Sequence, residues 1–142
     1  MMIRSLIAAS LLALTAMPAL AQDSDAAIEA MNEYMMFSEE FDGIILPEQI
    51  DQSIFESVRF IDVRTPDEFA VETIPGAINI GWREVLDRLD EIPQTQKTVV
   101  FCNTGARSSQ AAFALRVAGR TNVVVMQNGF DGWKEWAAYT PE

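Results

Sequence analysis

Three short apolar runs, 58-VRFIDV-63, 98-TVVF-101 and 122-NVVVM-126, place the tightest limit on how this chain can fold. The last two lack the apolar and polar alternation of a strand that turns one face to water, so they suit the centre of a sheet covered on both faces. Each run is followed by a stretch whose apolar residues recur at helical spacing. The sequence therefore predicts an α/β fold, with a mainly parallel sheet and helices on both faces.

The rest of the pattern fits one domain, since 142 residues is a usual length for a single core and no segment repeats along the chain. Open parallel sheets bind ligands beyond the carboxyl ends of their strands. Cys102 ends a predicted strand, and it is the only cysteine in a chain that has no histidine. Predicted strands cover 44–46, 58–63, 77–80, 97–102 and 122–126, and predicted helices cover 47–55, 83–92, 109–118 and 129–138, with a short helix from Pro66.

Residues 1–21 predict an export signal. Arg4 supplies a charged start, residues 6–17 are apolar, and 19-ALA-21 is a cleavage site with small residues at its first and third positions. We expect cleavage after Ala21 and a mature protein in a bacterial periplasm, with no stable insertion in the membrane. The alternative is an uncleaved membrane anchor, because the segment beyond Arg4 carries no charge, but the cleavage motif favours export.

Residues 22–42 predict an acidic amphipathic helix laid against the domain that residues 43–142 form. Positions 23–42 hold seven acidic residues and no basic one. We expect the apolar stripe of this helix to pack on the domain and its acidic face to be solvated, and the alternative is a surface that binds a protein partner. The apolar residues near helical spacing are Ala27, Ile28, Met31, Tyr34, Met35 and Phe41.

The charge balance argues against two classes of partner. Loss of Arg4 with the signal takes Lys and Arg from 10 to 9, against 21 Asp and Glu, so the mature net charge is −12. Nucleic acids and anionic lipid surfaces are recognised through basic patches, and we expect neither to bind. Binding of an anionic substrate then depends on cationic groups close to the site, since exposed charges beyond about 8 Å are screened at physiological salt.

The stretch 102-CNTGARSS-109 joins a predicted strand to a predicted helix. Its lone cysteine cannot form an internal disulfide, so the thiol is free or bound to a partner, and the plain alternative is a small buried apolar residue. Gly105 can take a positive φ, which lets the backbone curl so that N–H groups surround the Cys102 sulfur. The following helix, expected to begin at Ser108 or Ser109, adds its positive end, and a serine there can cap it.

This loop offers Cys102 a way to ionise without a histidine. Cysteines at a helix start beside arginine have pKa values of about 3.5 to 7.5, well below the value of about 8.5 for a free thiol. Arg107 supplies a permanent charge, which can bind a loop carbonyl or an anionic substrate. We therefore predict a thiolate nucleophile at Cys102, surrounded by Asn103, Thr104, Gly105, Ala106, Arg107 and Ser108.

The spacing of the loop separates two chemistries. Tyrosine phosphatases surround a tetrahedral phosphate with a Cys-x5-Arg loop, whereas Cys102 and Arg107 form Cys-x4-Arg. The shorter loop suits a smaller anion, such as the outer sulfur of a persulfide. No Cys-x-x-Cys pair exists for dithiol chemistry, and the sequence predicts no metal site and no cofactor.

The chain resembles the single-domain rhodaneses, thiosulfate sulfurtransferases of the periplasmic type. The resemblance spans about residues 43–138, and it rests on 60-FIDVRTPDEF-69, 74-IPGAINI-80, 101-FCNTGARS-108 and 129-GFDGW-133 in the family's order. It implies a five-stranded, mainly parallel sheet flanked by helices. It also implies an enzyme that moves sulfane sulfur from thiosulfate, or a related donor, to cyanide or a thiol acceptor.

The resemblance assigns roles to the loop and to one neighbouring stretch. Cys102 would be the nucleophile that carries the persulfide in a double displacement, and Asn103 through Ser108 would form the loop around its outer sulfur. Asp62 and Arg64 match the family's Asp-x-Arg stretch, where we favour a structural ion pair over a catalytic role.

Other positions depart from the family or leave alternatives open. The family often has Gly-His before Ile-Pro-Gly-Ala, where this chain has Glu72 and Thr73, so the hydrogen bond of that histidine is missing or replaced. Arg83 either binds an anion at the mouth of the pocket or lies on the surface of a helix, and we favour the surface position. Two other functions are weighed: a non-catalytic sulfur or anion carrier whose N-terminal helix docks a partner, and a phosphate- or arsenate-directed enzyme, which the Cys-x4-Arg spacing disfavours.

Overall fold

The computed structural model describes residues 19–39 and 42–141, in which strands alternate with helices. The strands are β1 (Ile44–Ile45), β2 (Arg59–Asp62), β3 (Ile78–Asn79), β4 (Thr98–Phe101) and β5 (Val123–Met126). The α-helices are α1 (Ala19–Phe37), α2 (Gln52–Ser57), α3 (Pro66–Val71), α4 (Ala106–Val117) and α5 (Gly129–Trp136). Two 3₁₀ helices cover Pro47–Gln49 and Leu89–Glu91.

Within the described residues, five strands form one parallel sheet in the order β1-β5-β4-β2-β3. All four residues of the central strand β4 are buried. Because side chains alternate along a strand, Val99 and Phe101 enter one apolar cluster with α2 and α5, while Val100 and Cys102 enter another with α4. The predicted α/β class, with helices on both faces of a parallel sheet, is confirmed.

The predicted helix over 83–92 is wrong. Residues 82–88 form turns, and only Leu89–Glu91 is helical, as a 3₁₀ helix. Arg88, at φ −117° and ψ 32°, lies outside helical geometry and interrupts the segment. Val85 and Ile92 are nevertheless buried, because the turns bring these positions to the sheet as a helix would. Leu86, which the same helical spacing turns inward, is 49% exposed. The spacing therefore identified two of the buried side chains, and it was wrong for Leu86 and for the backbone.

The predicted helix over 47–55 is divided into two elements. The 3₁₀ helix Pro47–Gln49 comes first, and α2 begins after Asp51. A carboxylate oxygen of Asp51 accepts a hydrogen bond from the Ile54 N–H at 2.9 Å, which caps a new helix at that point. A capping residue inside an apolar periodic stretch thus marks the break.

The N-terminal helix α1 contacts the domain over a smaller area than its apolar stripe predicts. The Tyr34 ring meets the Phe113 ring edge-on, with centroids 5.3 Å apart, and the Tyr34 hydroxyl accepts a hydrogen bond from Arg116 Nε at 3.1 Å. Ile28 and Met35, however, are 52% and 69% exposed. The expectation that the whole stripe packs on the domain is therefore wrong, because α1 meets α4 near its own C-terminal end.

Residues 1–18, which hold most of the predicted export signal, lie outside the described residues, and Ala19 to Ala21 begin α1. Export and cleavage after Ala21 therefore stay predictions. Within residues 19–39 and 42–141, no helix combines the length and the apolar character that a bilayer crossing requires.

Candidate active site

Cys102 directly follows β4, at the carboxyl edge of the sheet where the sequence predicts a site. Its side chain is 1% exposed, so the sulfur lies below the surface, between the end of the strand and the start of α4. The intervening residues, 103–105, form the loop that the sequence predicts, but α4 begins at Ala106 and not at Ser108 or Ser109. Gly105 is the residue at the helix cap, with φ +104°, so neither serine caps the helix.

The start of α5 orients the loop backbone. The Phe130 N–H donates to the Cys102 carbonyl at 2.7 Å, and the Asp131 N–H donates to the Asn103 carbonyl at 3.0 Å. A trans peptide points its C=O and its next N–H in opposite directions, so these two bonds turn the following N–H groups away from α5. The second of these N–H groups, that of Thr104, is one of the donors that act on the Cys102 sulfur.

Gly129 makes that contact between α5 and the loop possible. Its φ is +54°, and a Cβ at this position would lie 2.3 Å from the Cys102 carbonyl oxygen. Real side chains do not approach a backbone oxygen so closely, and an L-residue disfavours this backbone conformation as well. The glycine is therefore required for α5 to reach the loop.

The sulfur of Cys102 is surrounded by hydrogen-bond donors. The Gly105 N–H lies 3.2 Å from Sγ, and the Ser108 hydroxyl lies 3.5 Å from it. Burial acts to raise the pKa of the Cys102 thiol, but hydrogen bonds outweigh it and hold the pKa below its ordinary value. The donors are the Ser108 hydroxyl and the N–H groups of Ser108, Thr104 and Gly105.

A second serine leaves the Ser108 proton free for the sulfur. Ser108 Oγ can also donate to the Gly105 carbonyl, at 3.1 Å, and one hydroxyl carries only one proton. That carbonyl already accepts the Ser109 hydroxyl at 2.8 Å and the Ser109 N–H at 2.9 Å. The Ser108 hydroxyl can therefore turn to a thiolate without leaving the Gly105 carbonyl unpaired.

Arg107, which the sequence places beside the sulfur, is engaged by a carboxylate. Its Nη1 and Nη2 each donate to Glu68 at 3.2 Å, and the same carboxylate accepts Asn103 Nδ2 at 2.7 Å. Hydrogen bonds from Arg107, and next from the Thr65 N–H, lower the pKa of Glu68 from 4.5 to about 2. The permanent charge of Arg107 is therefore balanced by an ionised Glu68.

Asp62 and Arg64 form a buried ion pair on the other side of Asn103. Arg64 Nη2 lies 2.7 Å from Asp62 Oδ2, and Arg64 Nη1 donates to Asn103 Oδ1 at 3.1 Å. The hydrogen bond to Asp62 raises the pKa of Arg64 above its ordinary value. The pair has the geometry that a structural role requires, and both ends of the Asn103 amide are bound.

Glu72 and Thr73, the departures from the family pattern, both bind this pair. The Thr73 hydroxyl donates to Asp62 Oδ2 at 2.8 Å, and the Glu72 carbonyl accepts Arg64 Nη2 at 2.6 Å. Position 73 therefore supplies a donor to the buried carboxylate even though it has no histidine.

Arg83 is placed differently from the other candidates. Its guanidinium lies over the Trp82 ring, 4.2 Å from the centroid, and its side chain is exposed. In the described part of the chain no hydrogen bond joins it to the loop, and the helix on which we placed it is absent. The geometry thus brings together Cys102, residues 103–108, Asp62 and Arg64, and leaves Arg83 outside that network.

Two residues of this network, Glu68 and Gly129, were given no role at the sequence level, whereas Thr73 was named as the position where the family's hydrogen bond is missing or replaced, and its hydroxyl replaces it. One local signal marks Glu68, because 65-TPDE-68 has the spacing of a capping box, and Thr65 and Glu68 do cap α3 reciprocally. Nothing local shows that this glutamate also reaches across 39 positions to Arg107. For metals, no group of three His, Cys, Asp or Glu in residues 19–39 and 42–141 is arranged to hold an ion.

Comparison with known proteins gives one consistent result. The family described as Rhodanese-like domain matches residues 46–135. A sulfurtransferase of Allochromatium vinosum is 36% identical over 78 residues, which cover 55% of this chain and 73% of that protein. Thiosulfate sulfurtransferase PspE of Escherichia coli is 40% identical over 72 residues, or 49% and 69% of the two chains. The solved structure of the human single-domain sulfurtransferase TSTD1 is similar at a TM-score of 0.55 and 27% identity, over 66% of this chain and 96% of that one.

Proposed function

The chain belongs to the rhodanese-like domain family of sulfurtransferases, and we propose that it is a thiosulfate sulfurtransferase that carries the transferred sulfur as a persulfide on Cys102. One observation carries the proposal. The Cys102 sulfur is buried at the carboxyl edge of the sheet, among four hydrogen-bond donors that hold the pKa of its thiol below the ordinary value. Such a thiol is ionised, and therefore nucleophilic, in a larger fraction of molecules at neutral pH.

We expect the reaction to proceed in two displacements. The Cys102 thiolate attacks the outer sulfur of thiosulfate, a new S–S bond forms, and sulfite leaves with the electron pair of the bond that breaks. Cyanide or a thiolate then attacks the outer sulfur of the persulfide, takes it as thiocyanate or as a new persulfide, and releases the Cys102 thiolate. No oxidant or reductant is consumed.

The loop is suited to the charges of both resting states. The N–H groups of Thr104 and Gly105 and the hydroxyl of Ser108 are aimed at the Cys102 sulfur before any substrate arrives. Preorganised donors of this kind stabilise an anion without having to reorient during the reaction. The same donors can serve the terminal sulfur of the persulfide, which also carries one negative charge.

The alternative of a phosphate-directed enzyme is disfavoured by the placement of Arg107. In a phosphate loop the arginine is needed as a ligand of the anion. Here both terminal nitrogens of Arg107 are bound to Glu68, and the loop is one residue shorter than Cys-x5-Arg.

The proposal is tested by the intact mass of the protein before and after treatment with thiosulfate, and again after cyanide. We expect the wild type to gain the mass of one sulfur atom and then to lose it with release of thiocyanate. Cys102→Ser keeps the size of the side chain and should gain nothing. Loading of Cys102→Ser, or a wild type that gains no sulfur from thiosulfate, would contradict the assignment.

A further inference from the structure

Glu68 binds the only basic residue of the loop. Arg107 is the one Lys or Arg between positions 102 and 108. Glu68 engages it through both carboxylate oxygens, and the two side chains are each 32% exposed. Arg107 interacts electrostatically with Cys102 as well as with Glu68, so the ion pair lies within electrostatic range of the sulfur.

Two other ion pairs border the loop. Asp62 of β2 pairs with Arg64, and Asp131 pairs with Lys134 from α5, at 2.7 Å and 3.7 Å. Together with the pair of Glu68 and Arg107 they carry no net charge, and the carboxylate of Glu72, which also acts on Arg64, adds a negative charge nearby. The Cys102 sulfur is bound by N–H and O–H dipoles, which carry no net charge. A sulfur-donor substrate with a second negative charge therefore finds no unpaired cation at the loop.

We propose that Glu68 determines the specificity of the loop for sulfur donors: by neutralising Arg107, it removes the advantage that a cationic loop would give to a doubly charged donor over a singly charged one. This inference rests on the proposed function, because it concerns which donors load Cys102. It makes Glu68 a residue that acts through Arg107, without touching the substrate.

The structure offers a substitution that removes the charge of Glu68 and keeps its contacts at the helix cap. Glutamine takes the place of glutamate in a capping box, so Glu68→Gln retains the cap of α3 at Thr65. With its single amide oxygen at the cap, the glutamine can also accept from Arg107 Nη1, but its amide nitrogen then faces Asn103 Nδ2 and that hydrogen bond is lost. Asn103 Oδ1 still accepts Arg64 Nη1 from the other side, so we expect the loop to keep its place while Arg107 becomes an unbalanced cation.

The experiment compares two donors that deliver the same sulfane sulfur. Thiosulfate is a dianion, and methanethiosulfonate is a monoanion that leaves as methanesulfinate. We measure kcat/KM for each donor with cyanide as acceptor, in the wild-type protein and in Glu68→Gln. The ratio of thiosulfate to methanethiosulfonate should rise about threefold in the variant, since one unscreened unit charge close to the site acts more strongly on the dianion. Taking a ratio cancels any loss of activity that affects both donors.

A matched control removes the same charge from another ion pair. Glu91 is exposed and pairs with Arg88, outside the loop. Glu91→Gln changes the net charge as Glu68→Gln does, and we expect its donor ratio to equal that of the wild type. The double variant Glu68→Gln/Arg107→Gln contains neither charge, so its ratio should return to the wild-type value.

A second readout separates electrostatics from loss of structure. The pH midpoint of Cys102 alkylation should move down in Glu68→Gln, because an unbalanced Arg107 stabilises the thiolate. A loop that has merely loosened would lose N–H bonds to the sulfur, and the midpoint would move up. An unchanged or lower donor ratio, or an upward midpoint, overturns the inference. A wild type that accepts sulfur from neither donor overturns the proposed function and this inference with it.

Discussion

Two ion pairs hold the same residue, Asn103, from opposite sides, and they differ in their exposure to water. Arg64 and Asp62 are 6% and 0% exposed, and Arg64 binds the amide oxygen of Asn103. Arg107 and Glu68 are each 32% exposed, and Glu68 binds the amide nitrogen. The chemistry of the two pairs is the same, and solvent is what separates them.

Because of this difference in exposure, breaking each of the two ion pairs should affect the stability of the fold differently. Charges that have left water depend on their partners, so removal of one member leaves the other uncompensated. A pair that keeps a third of its surface in water is solvated when broken, and it contributes little to stability. The buried pair therefore fixes the position of β2 against the loop, whereas the outer pair can change the charge of the site at small cost to the fold.

The largest effect is expected from the buried pair. Asp62→Asn leaves the Arg64 guanidinium buried without its counter-charge, and the free energy of unfolding should fall by about 3–5 kcal/mol. Urea denaturation followed by tryptophan fluorescence measures this loss. Asp90→Asn, at an exposed position on the 3₁₀ helix Leu89–Glu91, is the control and should change stability by less than about 0.5 kcal/mol. A loss below about 1 kcal/mol for Asp62→Asn would show that the buried pair contributes as little to stability as the exposed pair of Arg107 and Glu68.

An intermediate effect is expected from Thr73. Thr73→Val removes the hydroxyl that donates to Asp62 Oδ2 at 2.8 Å, and the shape of the side chain is kept. Asp62 still binds Arg64, so the carboxylate is not left unpaired, and the loss should be about 1–2 kcal/mol. The same denaturation experiment measures it, with the exposed Thr95→Val as the matched control. If both variants unfold at the same urea concentration, the Thr73 hydroxyl does not support the pair.

The smallest effect is expected from the outer pair, and it depends on pH. The pKa of Glu68 falls from 4.5 to about 2 in the folded protein, so its ionisation stabilises the fold above about pH 4.5, and this contribution is lost as pH falls towards 2. Because a third of the side chain is exposed, we expect less than about 1 kcal/mol. Unfolding of the wild type and of Glu68→Gln, measured from neutral pH downwards, should differ most at neutral pH and converge at the acid end. A difference that stays constant with pH would show that the loss in Glu68→Gln is not electrostatic.

The succession of strands and helices along the chain was predictable because each element is recognised by the apolar pattern of its own residues. A strand such as 98–101 is recognised by its own apolar residues, and the carboxyl end of that strand locates Cys102. The loop after it was predictable for the same reason, since small residues and Gly105 act on their own backbone. Prediction failed at 83–92, where helical spacing identified Val85 and Ile92 as buried, but turns bring both side chains to the core without a helix and leave Leu86 exposed.

The sequence by itself determined the alternation of strands and helices, the position of the only cysteine and the donors that follow it, since each depends on neighbours within a few positions. Only the tertiary structure decided the partner of Arg107, because Glu68 comes from another helix 39 positions away. It also decided that α5 binds the carbonyls of Cys102 and Asn103, and that Ile28 and Met35 of the α1 stripe stay exposed. Contacts between distant segments depend on how the elements pack. Local periodicity identifies the apolar face of a helix or strand but not the element on which that face packs.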